Sequence, residues 1–349
     1  MSNNSVISTY AAYAINDKLR MNSSSGAIFS ILAEYILRKG GVVYGVTMSK
    51  DCKSGEFIRV TDKVNLSKLR GSKYLQAKVD RTYQKVKLDL ESRKVVFFTG
   101  TGCQVNGLKL FLGKSYDNLL CVDFICHGVP SPGLWRKYVE SIEKHNNAQL
   151  VNVNFRCKDR SWFDFGMKKI DSKHKAIYVS KDRDPYMLMF LRDYCLRPAC
   201  YECVAKNYKS ADLTLADFWG IDRVAPKLND GKGISLVLVR TEKGKKLFKE
   251  SGSDLVTKNV SYEDGVNGNR AEYSSTKRPV ERDCFFNDMS NLNFQQLKAK
   301  YAVPTPIPFK NKVKKSIKKM MKFILKKIMR RSIKNDFNYG ILFILVMKS

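Results

Sequence analysis

The sequence predicts an α/β fold: a mixed, mostly parallel sheet with flanking helices and an antiparallel meander insertion. Apolar runs such as "VVFF", "LLCVDF" and "ISLVLV" are continuous rather than alternating, as strands covered on both faces are. Two of these runs lead at once into a loop and a helix-like stretch, the repeating unit of a parallel sheet. Residues 149–180 instead alternate apolar and polar positions around charged turns, the pattern of antiparallel hairpins. A chain of 349 residues is long enough for one large core with appendages.

In chain order, "SSSGAIFSILAEYILRKGGVVYGVTM" (23–48) reads as serine caps, a helix with apolar Ile28, Ile31, Leu32, Tyr35 and Ile36, a stop at Gly40, then a valine-rich strand. "RKVVFFTGTGCQVNGLKLFLG" (93–113) is a strand, a Gly-Thr-Gly turn and a helix closed by Gly113. "LLCVDFICHGVPSPGLWRKYVESIEKH" (119–145) repeats the unit, with Ser131 as N-cap and Pro132 in the first helical position. After the meander, "DPYMLMFLRDYCL" is a short helix, and "ADLTLADFWG" and "GISLVLVRT" are buried strands, the second feeding the helix "EKGKKLFKES". This divides the chain into an N-terminal segment 1–92 and a segment 93–250 that share one core, an irregular extension with a proline linker at 251–309, and a basic amphipathic tail at 310–349.

The opening "MSNNSVISTYAAYAINDKLR" has none of the three regions of a signal peptide, and no run of 18 apolar residues follows it, so a cytoplasmic protein is expected. A reducing compartment keeps the nine cysteines as thiols. The net charge of +30 calls for an anionic partner, and its distribution says which kind. Residues 310–349 carry thirteen Lys or Arg against the single acid Asp336. Within 311–334, Val313, Ile317, Met320, Met321, Ile324 and Ile328 recur at helical spacing between the cations. That suits a helix lying on an anionic membrane surface, at the inner face of the membrane, and equally a solvated basic tail or a helix docking on a partner protein. The rest of the chain lacks the aromatic-interleaved basic patch of a nucleic-acid binder, so no nucleic-acid partner is expected.

"CLRPACYEC" (195–203) places three thiols in nine positions. Cys200 and Cys203 form the Cys-x-x-Cys pair that both zinc and iron–sulfur sites favour, because one turn then presents both sulfurs. No second close pair lies nearby, as a zinc ribbon requires. The remaining candidates, Cys103 and Cys126, follow two predicted strands, on loops that gather at the carboxyl end of an α/β sheet where cofactors bind. Cys52 and Cys284 stand in polar surroundings, and Cys121 and Cys157 in strand-like ones, as ordinary thiols.

At these residues the chain resembles the coenzyme F420 hydrogenase and dehydrogenase beta subunits, iron–sulfur flavoproteins. The likeness runs from about Tyr10 to Glu250 through "SSSGAIFSILAEYILRKGGVVYGV", "LRGSKYLQ", "FFTGTGCQVNGLK", "VDFICHGVPSPGLWRKYVE", "VNFRCKD", "DPYMLMFLRDYCLRPACYEC", "SADLTLADFWGI" and "GKGISLVLVRTEKG". It is closest to the bacterial branch found with cell-surface polysaccharide genes. The resemblance implies a 4Fe–4S cluster on Cys103, Cys126, Cys200 and Cys203, with Cys195 as the substitute ligand or else a core thiol, together with FAD and an organic substrate or coenzyme F420 as acceptor. Flavin contacts would come from Ser24, Ser25 and Gly26 at a helix start, Lys73 in "GSKY", the loop Thr99, Gly100, Thr101 and Gly102, and Asp217 in "ADFWG". A lone lysine is also an ordinary solvated charge, and Asp217 also suits the cap of its own loop. His127, beside Cys126, is the candidate proton relay, or else a hydrogen-bonding neighbour.

Two features depart from the family pattern. The family's usual two-cluster ferredoxin module is not seen before the flavin-domain motifs, so a separate electron donor such as a ferredoxin is expected. The usual Gly-Thr-Pro-Cys reads Gly-Thr-Gly-Cys here. The competing class is a non-catalytic metal-binding scaffold that keeps the fold without redox turnover.

Overall fold

The computed structural model describes residues 5–304, so the basic tail and nearly all of the proline linker lie outside the described residues. Twelve strands are present among the described residues: β1 (Ser8–Ala14), β2 (Val42–Met48), β3 (Gly55–Val60), β4 (Ala77–Lys78), β5 (Val96–Thr99), β6 (Leu119–Phe124), β7 (Leu150–Cys157), β8 (Gly166–Asp171), β9 (Ala176–Ser180), β10 (Leu213–Asp217), β11 (Ser235–Val239) and β12 (Leu255–Val260). Nine of them form one mixed sheet in the order β12-β1-β11-β10-β6-β5-β2-β3-β4. Its centre, β10-β6-β5-β2, is parallel, with Leu213 opposite Val122, Val96 opposite Leu119 and Val42 opposite Val96. Antiparallel strands flank it, β11, β1 and β12 on one side and β3 on the other. β1 from the N-terminal segment thus lies between two strands of the C-terminal half, and the two segments share one sheet.

Alternation along each strand divides the core into two layers. Phe97 and Val43 face the helix Ile28–Arg38, packing with Leu32, Ala33 and Ile36. Their neighbours Val96, Phe98, Val42 and Tyr44 face the opposite way, onto Val86 and Leu90 of the helix Thr82–Glu91 and Val105 and Leu108 of the helix Gly102–Leu112. Both faces are covered, which is why these strands read as unbroken apolar runs. Full burial of a side chain such as Phe97 contributes about 2–3 kcal/mol.

The serines before the first of these helices do not cap it. Its N-cap is Ala27, in the left-handed region at φ 69° and without a side-chain cap bond. Gly26 approaches the sheet too closely for any side chain: its N–H donates to Ser235 Oγ at 3.0 Å, and a Cβ there would meet the Ala12 carbonyl at 2.4 Å. That docking turns Ser24 and Ser25 towards other loops.

The meander is a separate antiparallel sheet, β7-β8-β9. It packs with the helices Pro132–Asn146 and Pro185–Leu191 in a second core of Trp135, Tyr138, Phe155, Tyr186 and Phe190. Ser131 and Pro132 start the longer helix as expected, the Ser131 hydroxyl accepting from the Gly133 N–H at 3.2 Å. Cys52, expected among polar groups, is 2% exposed in this core, its carbonyl accepting from the Trp135 indole at 2.7 Å. The stretch 251–309, expected to be irregular, supplies edge strand β12 and the helices Arg282–Asn291 and Phe294–Tyr301. From these helices Phe285, Phe294, Leu297 and Tyr301 bury into the second core, with Phe286 and Met289 packed against it. Among the described residues no helix is long and apolar enough to cross a membrane.

Candidate functional site

The carboxyl ends of the parallel strands β5 and β6 release two loops. The first passes Gly100 and enters the helix Gly102–Leu112, with Thr101 and Gln104 forming a reciprocal capping box and Cys103 in the first turn. The second carries Cys126, His127 and Gly128 towards Ser131. A third segment, from Cys195 to Lys206, is stitched to the second by a bridge between Pro130 and Leu196 and by backbone bonds from Arg197 N–H to Val129 O at 3.0 Å and Ser131 N–H to Cys195 O at 2.8 Å. The Val129 N–H also points at Cys200 Sγ, 3.4 Å away. Just beyond the third segment the chain meets the helix that follows the first loop, where Asn106 donates to the Tyr208 carbonyl at 3.0 Å. Three separate stretches of chain are thereby held at one end of the sheet.

All nine cysteines are free thiols. Burial, with smaller contributions from Cys103 and Cys200, pushes the Cys126 thiol up to about 12 against the opposing pull of Lys206. Burial likewise raises Cys200, with Cys203 and Cys103 adding to the rise. Thr101 Oγ1 and Cys103 Sγ share a hydrogen bond at 3.1 Å, and the Ser275 hydroxyl accepts from the Cys203 N–H at 2.9 Å. Buried thiols raised in this way, Cys126 and Cys200, can be ligands only for a centre whose positive charge outweighs the cost of ionising them. Among the described residues no group of three or more His, Cys, Asp or Glu side chains stands close enough, as placed, to ligate a metal ion. Cys195, the substitute, is wholly buried beside Leu196 in the second core, where burial raises its thiol. His127 is 41% exposed at its side chain and pairs with Asp193, Nε2 to Oδ1 at 2.6 Å.

The expected flavin positions fall into separate settings. Ser24 and Ser72 bond twice, the Ser72 N–H reaching Ser24 Oγ at 2.8 Å and the two hydroxyls meeting at 2.9 Å, so the "SSSG" and "GSKY" loops are joined. Half-buried Lys73 follows, donating to the carbonyls of Lys68 at 3.1 Å and Arg70 at 2.7 Å, and burial lowers its pKa to about 7. Ser25 donates to the Ile234 carbonyl at 2.7 Å. Thr99 and Gly100 lie at the strand end, where Gly100 N–H reaches Val122 O at 3.3 Å, and a Cβ on Gly102 would stand 3.1 Å from an Asp123 oxygen. Both Asp217 oxygens are taken: Arg156 grips them at 2.5 and 3.2 Å, and the Trp162 indole donates to one at 2.7 Å. That carboxylate fastens the meander to the sheet.

Two family models match in succession. Residues 9–82 match the N-terminal part, and 93–263 the C-terminal part, of the coenzyme F420 hydrogenase/dehydrogenase beta subunit. The chain belongs to this family. It is a family of oxidoreductase subunits. No curated protein matches the chain. Among solved structures, a chain of the F420-reducing NiFe hydrogenase complex from Methanosarcina barkeri is similar, at 15% identity and a TM-score of 0.49 over 76% of this chain and 90% of that one, a likeness too distant to bear on function.

Sequence reasoning missed a chain of buried charges beneath the cysteines of this beta-subunit homologue. Asp123 in β6 is 2% exposed; burial raises its pKa to about 6, and its Oδ1 has no partner. Arg240 donates to Thr214 Oγ1 at 2.7 Å and pairs with Glu272, which Lys209 also grips at its carboxylate, 3.1 Å, and its carbonyl, 2.9 Å. Lys206 reaches the carbonyls of Cys126, at 2.5 Å, and Ala271. Lys158 is likewise buried, its ammonium held by the carbonyls of Arg20 and Lys232 at 2.7 Å and of Ser25 at 3.1 Å. Burial, with Arg156 and Arg20 nearby, lowers its pKa to about 7. The available signal was an acid or base inside an apolar strand, as in "CVDF" and "LVLVRT".

Proposed function

We propose that the chain is an iron–sulfur flavoprotein in which Cys103, Cys126, Cys200 and Cys203 hold a 4Fe–4S cluster and the loops around Ser24, Lys73 and Thr99 to Gly102 bind FAD. The observation that supports this best is the convergence of three distant stretches of chain, the Cys126 loop being bonded to the 195–206 segment through Val129, Ser131 and Lys206, and the helix of Cys103 being joined to the chain just beyond it at Tyr208. Cluster and flavin, when bound, supply electron transfer between a one-electron donor and an organic acceptor, coenzyme F420 or a substrate of another class.

The chain's own residues do the rest. Thr101 and the Val129 N–H orient the sulfurs of Cys103 and Cys200. The joined serines present a hydroxyl-lined loop beside Lys73, whose ammonium among the described residues is held by neutral carbonyls and so suits a phosphate. His127, exposed and held by Asp193 at Nε2, is the candidate to carry a proton at the rim. A ferredoxin-type donor and a place in cell-surface polysaccharide synthesis belong to the same proposal and rest on the sequence resemblance.

Anaerobic purification with iron, sulfide, zinc and flavin analysis tests the reading. A brown protein with about four iron and four sulfide per chain, plus flavin, is the expected result. A colourless zinc protein without flavin overturns it in favour of a metal-binding scaffold.

A further inference from the structure

Lys206 closes the short turn Val204–Lys206 that follows Cys203, and only 7% of it is exposed. Its ammonium donates to the carbonyls of Cys126 and Ala271, and among the described residues it makes no ion pair with a carboxylate. Glu272, next in the chain to Ala271, is already held by both Arg240 and Lys209. Lys209 also binds the Glu272 carbonyl, so a second ammonium stands beside that of Lys206. A buried ammonium satisfied only by neutral carbonyls, with a second lysine beside it, is costly unless negative charge stands nearby. A centre bearing four thiolates supplies that charge.

We propose that Lys206 is the fixed counter-charge of the four-cysteine site, a positioning residue that ties the Cys126 loop to the Cys203 turn and offsets the negative charge gathered there. This rests on the cluster reading above. A fixed cation beside such a centre favours its more negative, reduced form and raises its reduction potential. It also lowers the cost of bringing four thiolates together, and so favours uptake of the cluster.

The test compares the full-length wild type with Lys206→Gln, Lys206→Met and Lys206→Arg. Readouts are iron and sulfide per chain, the midpoint potential from a redox titration followed by electron paramagnetic resonance, and folding by circular dichroism. Lys206→Gln keeps a donor for the Cys126 carbonyl while removing the charge, so it separates charge from packing if the Met variant does not fold. The neutral variants are expected to shift the midpoint to a more negative value or to lose iron and sulfide, and Lys206→Arg to stay near wild type. A folded Lys206→Gln protein with wild-type iron content and midpoint overturns the proposal, as does an Arg variant that behaves like Gln. A wild type that takes up neither iron nor sulfide overturns the cluster reading together with this one, and is distinguished from both of those results.

Discussion

The backbone N–H of Val129 is aimed at Cys200 Sγ from 3.4 Å, and the residue before it makes that approach possible. Gly128 has φ 153°, and a Cβ there would stand 2.7 Å from a Leu196 methyl and 3.5 Å from the Cys200 Cβ. Gly128→Ala should therefore push the Cys126 loop off the 195–200 segment. The expected cost is about 1–3 kcal/mol of stability, with a several-fold fall in iron and sulfide per chain. Chemical unfolding and metal analysis check both, and an Ala variant with full iron content would show that the loop contact does not shape the site.

Cys195 and Cys200 are close in sequence and differ in setting. Cys195 is wholly buried in an apolar core, whereas Cys200 is partly accessible at the strand ends. Cys195→Ala is expected to lose about 1–2 kcal/mol by leaving a small cavity and to keep its iron. Cys200→Ser is expected to lose the iron at little cost in folding. Metal analysis showing the reverse pattern would move the ligand role to Cys195.

The parallel centre of the sheet was legible in the sequence because strands covered on both faces leave unbroken apolar runs, and "VVFF" and "LLCVDF" are β5 and β6. The same reasoning placed Cys126 on a strand-end loop, where the fold has it, whereas Cys103 stands one step further on, in the first turn of the helix that its loop enters. What it could not read were partnerships set by three-dimensional closure. Ser24 looked like a cap and became the partner of Ser72, since Gly26 docks on β1 and β11. Lys206, Lys209, Arg240 and Glu272 are ordinary charges in isolation, and only the fold shows them buried together. Strand β12 escaped notice because it is an edge strand with exposed Thr257, Lys258 and Asn259, so its apolar alternation is faint.

Asp217 was a candidate flavin contact, yet both of its oxygens are engaged by Arg156 and Trp162. Arg156 is 5% exposed and stacks on Phe165 with its guanidinium 4.1 Å from the ring centre. Asp217→Ala would leave that guanidinium buried without its counter-charge, at a cost of about 3–5 kcal/mol. Flavin per folded chain should stay unchanged. Thermal unfolding and flavin content decide the matter: loss of flavin with stability intact would assign Asp217 to the cofactor.

Asp89 gives the fold an acid-sensitive tie. On the helix Thr82–Glu91, it accepts from Tyr44 Oη at 2.6 Å, from Arg59 at 2.6 and 3.0 Å and from Lys94 at 3.0 Å, so it fastens β2 and β3 to that helix. Burial alone would raise its pKa, but the bonds from Arg59, Tyr44 and Lys94 prevail and hold it at about 2. An unfolded aspartate titrates near 4. A carboxylate with a depressed folded pKa contributes stability that is complete above the unfolded value and is lost as pH falls through the folded one. The tie is thus whole at pH 5 and above and fades between about pH 4 and pH 2. Because Arg59 is one-third exposed, solvent screening reduces its worth to about 1–2 kcal/mol. Asp89→Asn should be less stable than wild type by about that amount at pH 7, with the gap narrowing as urea unfolding is repeated towards pH 3. A gap that stays constant across that range would mean the Asp89 carboxylate is not the group that titrates.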